Sequence, residues 1–134
     1  MKLKESLDDK RGIVKEEGLG KQRLLAKKVK AYVMENFTRS DLTVGEVAKH
    51  CFVDTSYIRR AFKKAYDMSI SEYILSLRME KAKELIKGNR LKLAAVCTQV
   101  GFEDYNYFSR AFKRYYSISP KKYEINIENR QSHK

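Results

Sequence analysis

Tyr57-Ile58-Arg59-Arg60-Ala61-Phe62-Lys63-Lys64-Ala65-Tyr66 decides the fold, because it recurs 50 residues on as Tyr107-Phe108-Ser109-Arg110-Ala111-Phe112-Lys113-Arg114-Tyr115-Tyr116. Tyr, Arg, Ala, Phe, Lys and the closing Tyr are identical, and Lys64 is answered by Arg114. The same shift pairs Phe52 with Phe102, Asp54 with Asp104, Ser69 with Ser119 and Tyr73 with Tyr123. The chain therefore reads as two copies of one supersecondary unit, too few for a solenoid. Each copy is a short helix, a tight turn and a second helix, which is the helix-turn-helix plan.

Working outward, residues 1–20 are polar, hold Gly12, Gly18 and Gly20, and read as a linker or disordered tail. Helical periodicity starts at Lys21, with Leu25, Val29, Tyr32, Val33 and Asn36 on one face. Thr43-Val44-Gly45-Glu46 is a capping box opening a short helix with Val44, Val47, Ala48 and Cys51 inside. Asp54 or Thr55 can cap the next helix, whose inner face is Tyr57, Ile58, Ala61, Phe62 and Ala65. Ser69-Ile70-Ser71-Glu72 starts a long helix that Gly88-Asn89 ends. That helix carries two apolar stripes, as expected where it packs against two neighbours. The pattern then restarts: Leu93, Val96, Cys97 and Val100, a turn at Gly101-Phe102-Glu103, and a helix capped by Asp104. Tyr107, Phe108, Ala111, Phe112 and Tyr115 form its inner face, and Ser119-Pro120 opens a last short helix. The first unit is expected over 21–68, the linker helix over 70–87, the second unit over 90–126 and a fraying polar tail over 127–134.

The fold class is all-α: two helix-turn-helix subdomains joined by a long linker helix. Composition agrees. One proline and 6 glycines in 134 residues are too few for the turns of an all-β fold. Apolar residues make up 43%, enough for a core. Cys51 and Cys97 make no disulfide framework and read as small core side chains. With His50 and His133 they lack the spacing of zinc ligands, so no metal or other cofactor is expected. Neither a nucleophile–base pair nor a glycine-rich phosphate loop appears, so no enzyme is expected. Met1–Lys10 lacks the apolar run of a signal peptide, and nothing approaches the ~20 apolar residues of a membrane span. A cytoplasmic location is expected, with no membrane partner.

Charge points to a partner. The net charge is +12, yet residues 1–20 are neutral, so the folded part carries all of it. The repeated decapeptides hold Arg59, Arg60, Lys63 and Lys64, then Arg110, Lys113 and Arg114, with no acid in either. Apolar and basic residues interleave, so one face packs while the other presents Arg and Lys three and four apart. A helix of this kind fits the DNA major groove, where Arg reads guanine and Asn reads adenine in bidentate fashion. The linker helix would span roughly 26 Å, against ~34 Å between successive major-groove faces. Two recognition helices in adjacent grooves would suit that length. The alternative is a basic helical module that binds an acidic protein or anionic surface without reading sequence. RNA stacking is disfavoured, since nearly all aromatics fall on packing faces.

Over about Lys27–Tyr123 the chain resembles the DNA-binding domain of the AraC/XylS family of bacterial transcription regulators. The resemblance is carried by Asp41-Leu42-Thr43-Val44 through Phe62-Lys63-Lys64, by Arg78-Met79-Glu80-Lys81-Ala82-Lys83-Glu84-Leu85, and by Gly101 through Arg114 with Ser119-Pro120 and Tyr123. It implies about seven helices in two helix-turn-helix subdomains, promoter binding, commonly activation, and recruitment of RNA polymerase. Carried onto this sequence, it implies base-reading roles for Ser56, Arg59 and Arg60, and for Tyr105, Asn106 and Arg110. Thr55, Lys63, Tyr107, Lys113 and Arg114 become phosphate contacts. The turn of the first unit usually holds Gly, and Phe52 stands there instead. Arg110 has a second option, an ion pair with Asp104 or Glu103. The family usually fuses this domain to a sensor or a receiver, and Lys27–Phe37 looks most like the receiver-linked members, the output domains of two-component response regulators.

Overall fold

The computed structural model describes the backbone of residues 13–132 and the side chains of residues 20–131. Over that span it has seven helices and no strand: α1 (Ile13–Asn36), α2 (Val44–His50), α3 (Thr55–Tyr66), α4 (Ile70–Gly88), α5 (Leu93–Gln99), α6 (Tyr105–Tyr116) and α7 (Pro120–Ser132). They fall into two compact units. The first takes residues 13–32 and Val44–Ile70; the second takes Val33–Thr43 and residues 71–132.

In the first unit α1 begins at Ile13 rather than Lys21, so residues 13–20, read as linker, are helical. Extending a nucleated helix adds one hydrogen bond per residue fixed, which offsets the roughly 1 kcal/mol that each of Gly18 and Gly20 costs in a helix. The rest of that tail, residues 1–12, lies outside the described residues. Ala26 and Val29 are fully buried on α1, and Ala26 was missing from the face read by periodicity. Tyr32 joins α1 to α2: its hydroxyl donates to Glu46 Oε2 at 2.5 Å and its ring stacks on His50 with centroids 4.1 Å apart. Lys30 Nζ lies 5.0 Å from the Tyr66 ring centroid, joining α1 to the end of α3. Val47, Ala48, Ile58, Ala61 and Phe62 complete this core. Ala65, read as inward, is exposed.

The second unit is built on Met79, Ala82 and Ile86 of α4, Val96 and Cys97 of α5, and Phe108, Ala111 and Phe112 of α6. Val100 and Phe102 of the intervening turn join them. Asn89, in the left-handed region at φ 54°, ends α4. Ser119 Oγ accepts from the Lys122 amide at 3.0 Å, and Pro120 takes the first helical position of α7. The last helix is longer than expected. It runs to Ser132, and Ile127, assigned to the fraying tail, is buried because it lies one turn beyond the half-buried Tyr123.

The turns correct the register of the repeat. In the first, Phe52 N–H donates to Lys49 O and Val53 N–H to Ala48 O, both at 3.1 Å. In the second, Gly101 N–H donates to Thr98 O at 3.1 Å and Phe102 N–H to Cys97 O at 3.0 Å. Both are the double-bonded closure with one left-handed residue. Phe52 (φ 58°) is thus the counterpart of Gly101 (φ 101°), and Val53 of Phe102. The 50-residue shift holds for the second helices but pairs the wrong residues here, because the second turn has one more residue before Asp104 than the first has before Asp54.

Candidate nucleic-acid interface

Each unit presents one basic helix with a defined start. Asp54 caps α3 by accepting from Ser56 N at 2.9 Å, and Asp104 caps α6 by accepting from Asn106 N at 3.2 Å. Each cap satisfies an amide that the helix cannot. Both helices also end alike. Asp67 (φ 57°) returns its N–H to Lys63 O at 2.8 Å, and Ser117 (φ 69°) returns its own to Lys113 O at 2.7 Å. The aromatic side of each helix is pinned into its core by Ile58, Ala61 and Phe62, or by Phe108, Ala111 and Phe112. That pinning fixes what is left facing out.

On α3 the exposed polar residues are Ser56, Arg59, Arg60, Lys63 and Lys64; Thr55 is half-buried. Ser56, Arg59, Arg60 and Lys63 follow one another at helical steps and so share a face. The Arg60 guanidinium lies over the Tyr57 ring at 5.8 Å, which restrains its swing. On α6 the exposed residues include Asn106, Tyr107, Arg110, Lys113 and Arg114. Among the described residues Arg110 forms no ion pair, with Asp104, with Glu103 or otherwise, so its charge is available to a ligand. Tyr105 stands apart from this set. It is half-buried, its ring packs 5.8 Å from Phe108 against the core, and burial pushes its phenol up.

Two aromatics read as packed, Tyr107 and Tyr115, are exposed instead, and the turn residue Phe52 is open as well. Phe52 is 93% exposed and Tyr107 55% exposed. Tyr107 leans on Phe102 at 5.7 Å and lines the same shallow cleft as Arg110. These are the exceptions to the expectation that nearly all aromatics fall on packing faces.

The residue that the sequence reading left without a role is Arg78. Its Nε donates to Phe37 O and its terminal nitrogen to Arg39 O, both at 2.8 Å, and its guanidinium lies 5.6 Å from the Phe102 centroid. Burial draws its pKa down, but a guanidinium stays protonated. The signal was available: Arg78 occupies the stripe Ile74, Arg78, Ala82, Ile86, where every other member is buried and apolar. Ser40 Oγ donates to Glu103 Oε2 at 2.9 Å, a second tie between the same loop and the turn before α6.

Among the described residues no cluster of His, Cys, Asp or Glu could hold a metal ion, and both cysteines are free thiols. Among the described residues no helix is long and apolar enough to cross a membrane. What the surface offers is two short helices with basic, hydrogen-bonding faces.

A helix-turn-helix domain family model matches residues 47–125. The C-terminal domain of the two-component response regulator yesN from Fusobacterium nucleatum is 38% identical with TM-score 0.70, over 72% of this chain and 93% of that one. The C-terminal domain of AraT, a response regulator from Geobacillus stearothermophilus, is 31% identical with TM-score 0.74, over 76% and 84%. The Msm operon regulatory protein of Streptococcus mutans is 37% identical over 65 residues, which are 48% of this chain and 23% of that protein. The chain thus spans less than a third of each curated relative it matches. With a matching model over most of the two units and the paired basic helices in place, the chain belongs to the AraC/XylS family of helix-turn-helix domains.

Proposed function

We propose that this chain is the DNA-reading part of a bacterial transcription regulator, with each unit laying its second helix into a major groove. One observation carries the reading: the same capped helix, with the same exposed basic face and the same buried aromatic face, occurs twice. Ser56, Arg59 and Arg60 read base edges for the first unit, and Asn106 and Arg110 for the second. Tyr105, given a base-reading role by the family resemblance, serves α6 as a packing residue in this reading, because its ring is committed to the core. Lys63, Lys113, Arg114, Tyr107 and the Thr55 hydroxyl meet phosphates and set register. No catalytic step belongs to this function. It is exercised in the cytoplasm, where bacterial promoters are, and its output is activation through RNA polymerase. A receiver domain is the partner we assign by likeness to the two response-regulator domains.

The test is selection from a random duplex library of ~30 bp at ~150 mM salt, where nonspecific phosphate binding is suppressed. Two informative blocks are expected. Arg59→Ala and Arg110→Ala should each cost about 1–3 kcal/mol and relax a different block. Binding that enriches no sequence and vanishes as salt rises would replace this reading with a nonspecific polyanion binder.

A further inference from the structure

We propose that Arg78 and the 37–40 loop it holds form a rest that sets the pitch of α6, so that Arg78 is a positioning residue for base readout without touching DNA. The proposal builds on the DNA-binding function above.

A rest must touch what it supports, and here each residue of the turn before α6 meets it. At Gly101 an added Cβ would stand 2.9 Å from both Arg78 Nε and Phe37 O, so the backbone is pressed against the arginine and the loop together. Phe102 takes the guanidinium on its ring and passes the contact on to α6, with Tyr107 at 5.7 Å and Phe108 at 5.4 Å. Glu103 accepts the Ser40 hydroxyl. Asp104, next in line, is the cap of α6.

The loop is itself braced. Arg39 Nε pairs with Asp41 Oδ1 at 3.2 Å and its Nη1 donates to Asn36 Oδ1 at 3.3 Å. Arg78 spends its fork on two carbonyls two residues apart, which a single ammonium point donor cannot match. A half-buried cation in an otherwise apolar stripe also costs desolvation, and simple packing would be served better by an aliphatic side chain. That cost makes sense where the fork fixes a geometry. The first unit has no such rest at its turn, since Phe52, the counterpart of Gly101, is 93% exposed. The device therefore acts on one reading head and not on the other.

That asymmetry supplies the test. Wild type, Arg110→Ala, Arg78→Lys and Ser40→Ala are each run through the library selection, with affinities measured on the selected site and on random duplex. Arg110→Ala marks the block read by α6. Arg78→Lys, which keeps the charge and loses the fork, should bind the selected site about tenfold more weakly and relax only that block. Its affinity for random DNA and its salt slope should stay at the wild-type values. Ser40→Ala, an exposed change that leaves the fold standing if Arg78→Lys does not, should relax the same block to a smaller extent. The proposal is overturned if both variants keep the α6 block sharp. It is also overturned if the losses fall equally on random and selected DNA, or on both blocks. Wild type selecting no sequence would instead overturn the DNA-reading function itself.

Discussion

Phe52 and Gly101 do the same backbone job with opposite chemistry. Both close a helix in the left-handed region, where a Cβ costs about 1–2 kcal/mol. Gly101 avoids that cost and also has no room for a side chain. Phe52 bears it and recovers little by burial, being 93% exposed. Phe52→Gly should therefore stabilise the protein by roughly 0.5–1 kcal/mol after the added chain entropy of glycine is subtracted, read as a higher midpoint in thermal or urea unfolding. Gly101→Ala should destabilise by at least about 2 kcal/mol, read as a lower value of the same midpoint, since strain and collision add. A third residue reports through pH. Burial, helped by the charges of Tyr115, Glu80 and Tyr123, pushes the Tyr116 phenol up to about 12 from an ordinary value of 10.0. Between those values the unfolded chain gives up this proton before the folded one does, so stability falls as pH rises across that window and is intact below it. Tyr116→Phe should flatten the fall in urea midpoint between pH 10 and 12, measured against wild type.

At the scale of elements, Asp54 and Asp104 are the best-defined starts, and they have a double effect. Each stabilises its helix by about 1 kcal/mol, yet each puts a carboxylate beside a face meant for phosphates. Asp104→Ala should lower the unfolding midpoint and tighten binding to random duplex. Asp104→Asn should keep the cap, leave the midpoint near wild type, and still tighten that binding. A variant that weakened random-duplex binding would place Asp104 among the DNA contacts instead. These elements were legible in the sequence because their signals are local. Asp104 before an apolar–basic run, Ser119-Pro120, and Gly88-Asn89 after a long stripe each act within a few residues of themselves. The exposed Arg and Lys were legible for the same reason. What local signals could not convey is tertiary. The identity of Phe52 and Phe102 hid the one-residue difference between the turns in the aligned repeat, although the family resemblance sets Phe52 at the usual glycine position; the hydrogen-bond closure shows that Phe52 answers Gly101. Tyr105, Tyr107 and Tyr115 sit at edges of the helical wheel, where periodicity does not separate a packed ring from an open one. The partners of Arg78 lie about 40 residues away in the chain, beyond any spacing rule.

For the whole molecule the governing quantity is charge spread over two heads. A net charge of +12 would drive any basic protein onto DNA at low salt, so affinity alone does not distinguish one engaged unit from two. Counterion release does. Each phosphate neutralised contributes about 0.9 to the slope of log K against log salt. Lys63 on α3 and Lys113 on α6 occupy matching places in the two units, and both are exposed. If both heads bind at once, Lys63→Ala and Lys113→Ala should each reduce the slope by about 0.9, and the double variant by about 1.8. If one head binds and the other hangs free, one single variant should leave the slope unchanged and the double should match the other single. The measurement is a salt titration of a fixed duplex, by fluorescence anisotropy, over a range where binding stays measurable. Each outcome also constrains the library selection: additive slopes require two informative blocks, whereas a silent Lys63→Ala requires one block, read by α6.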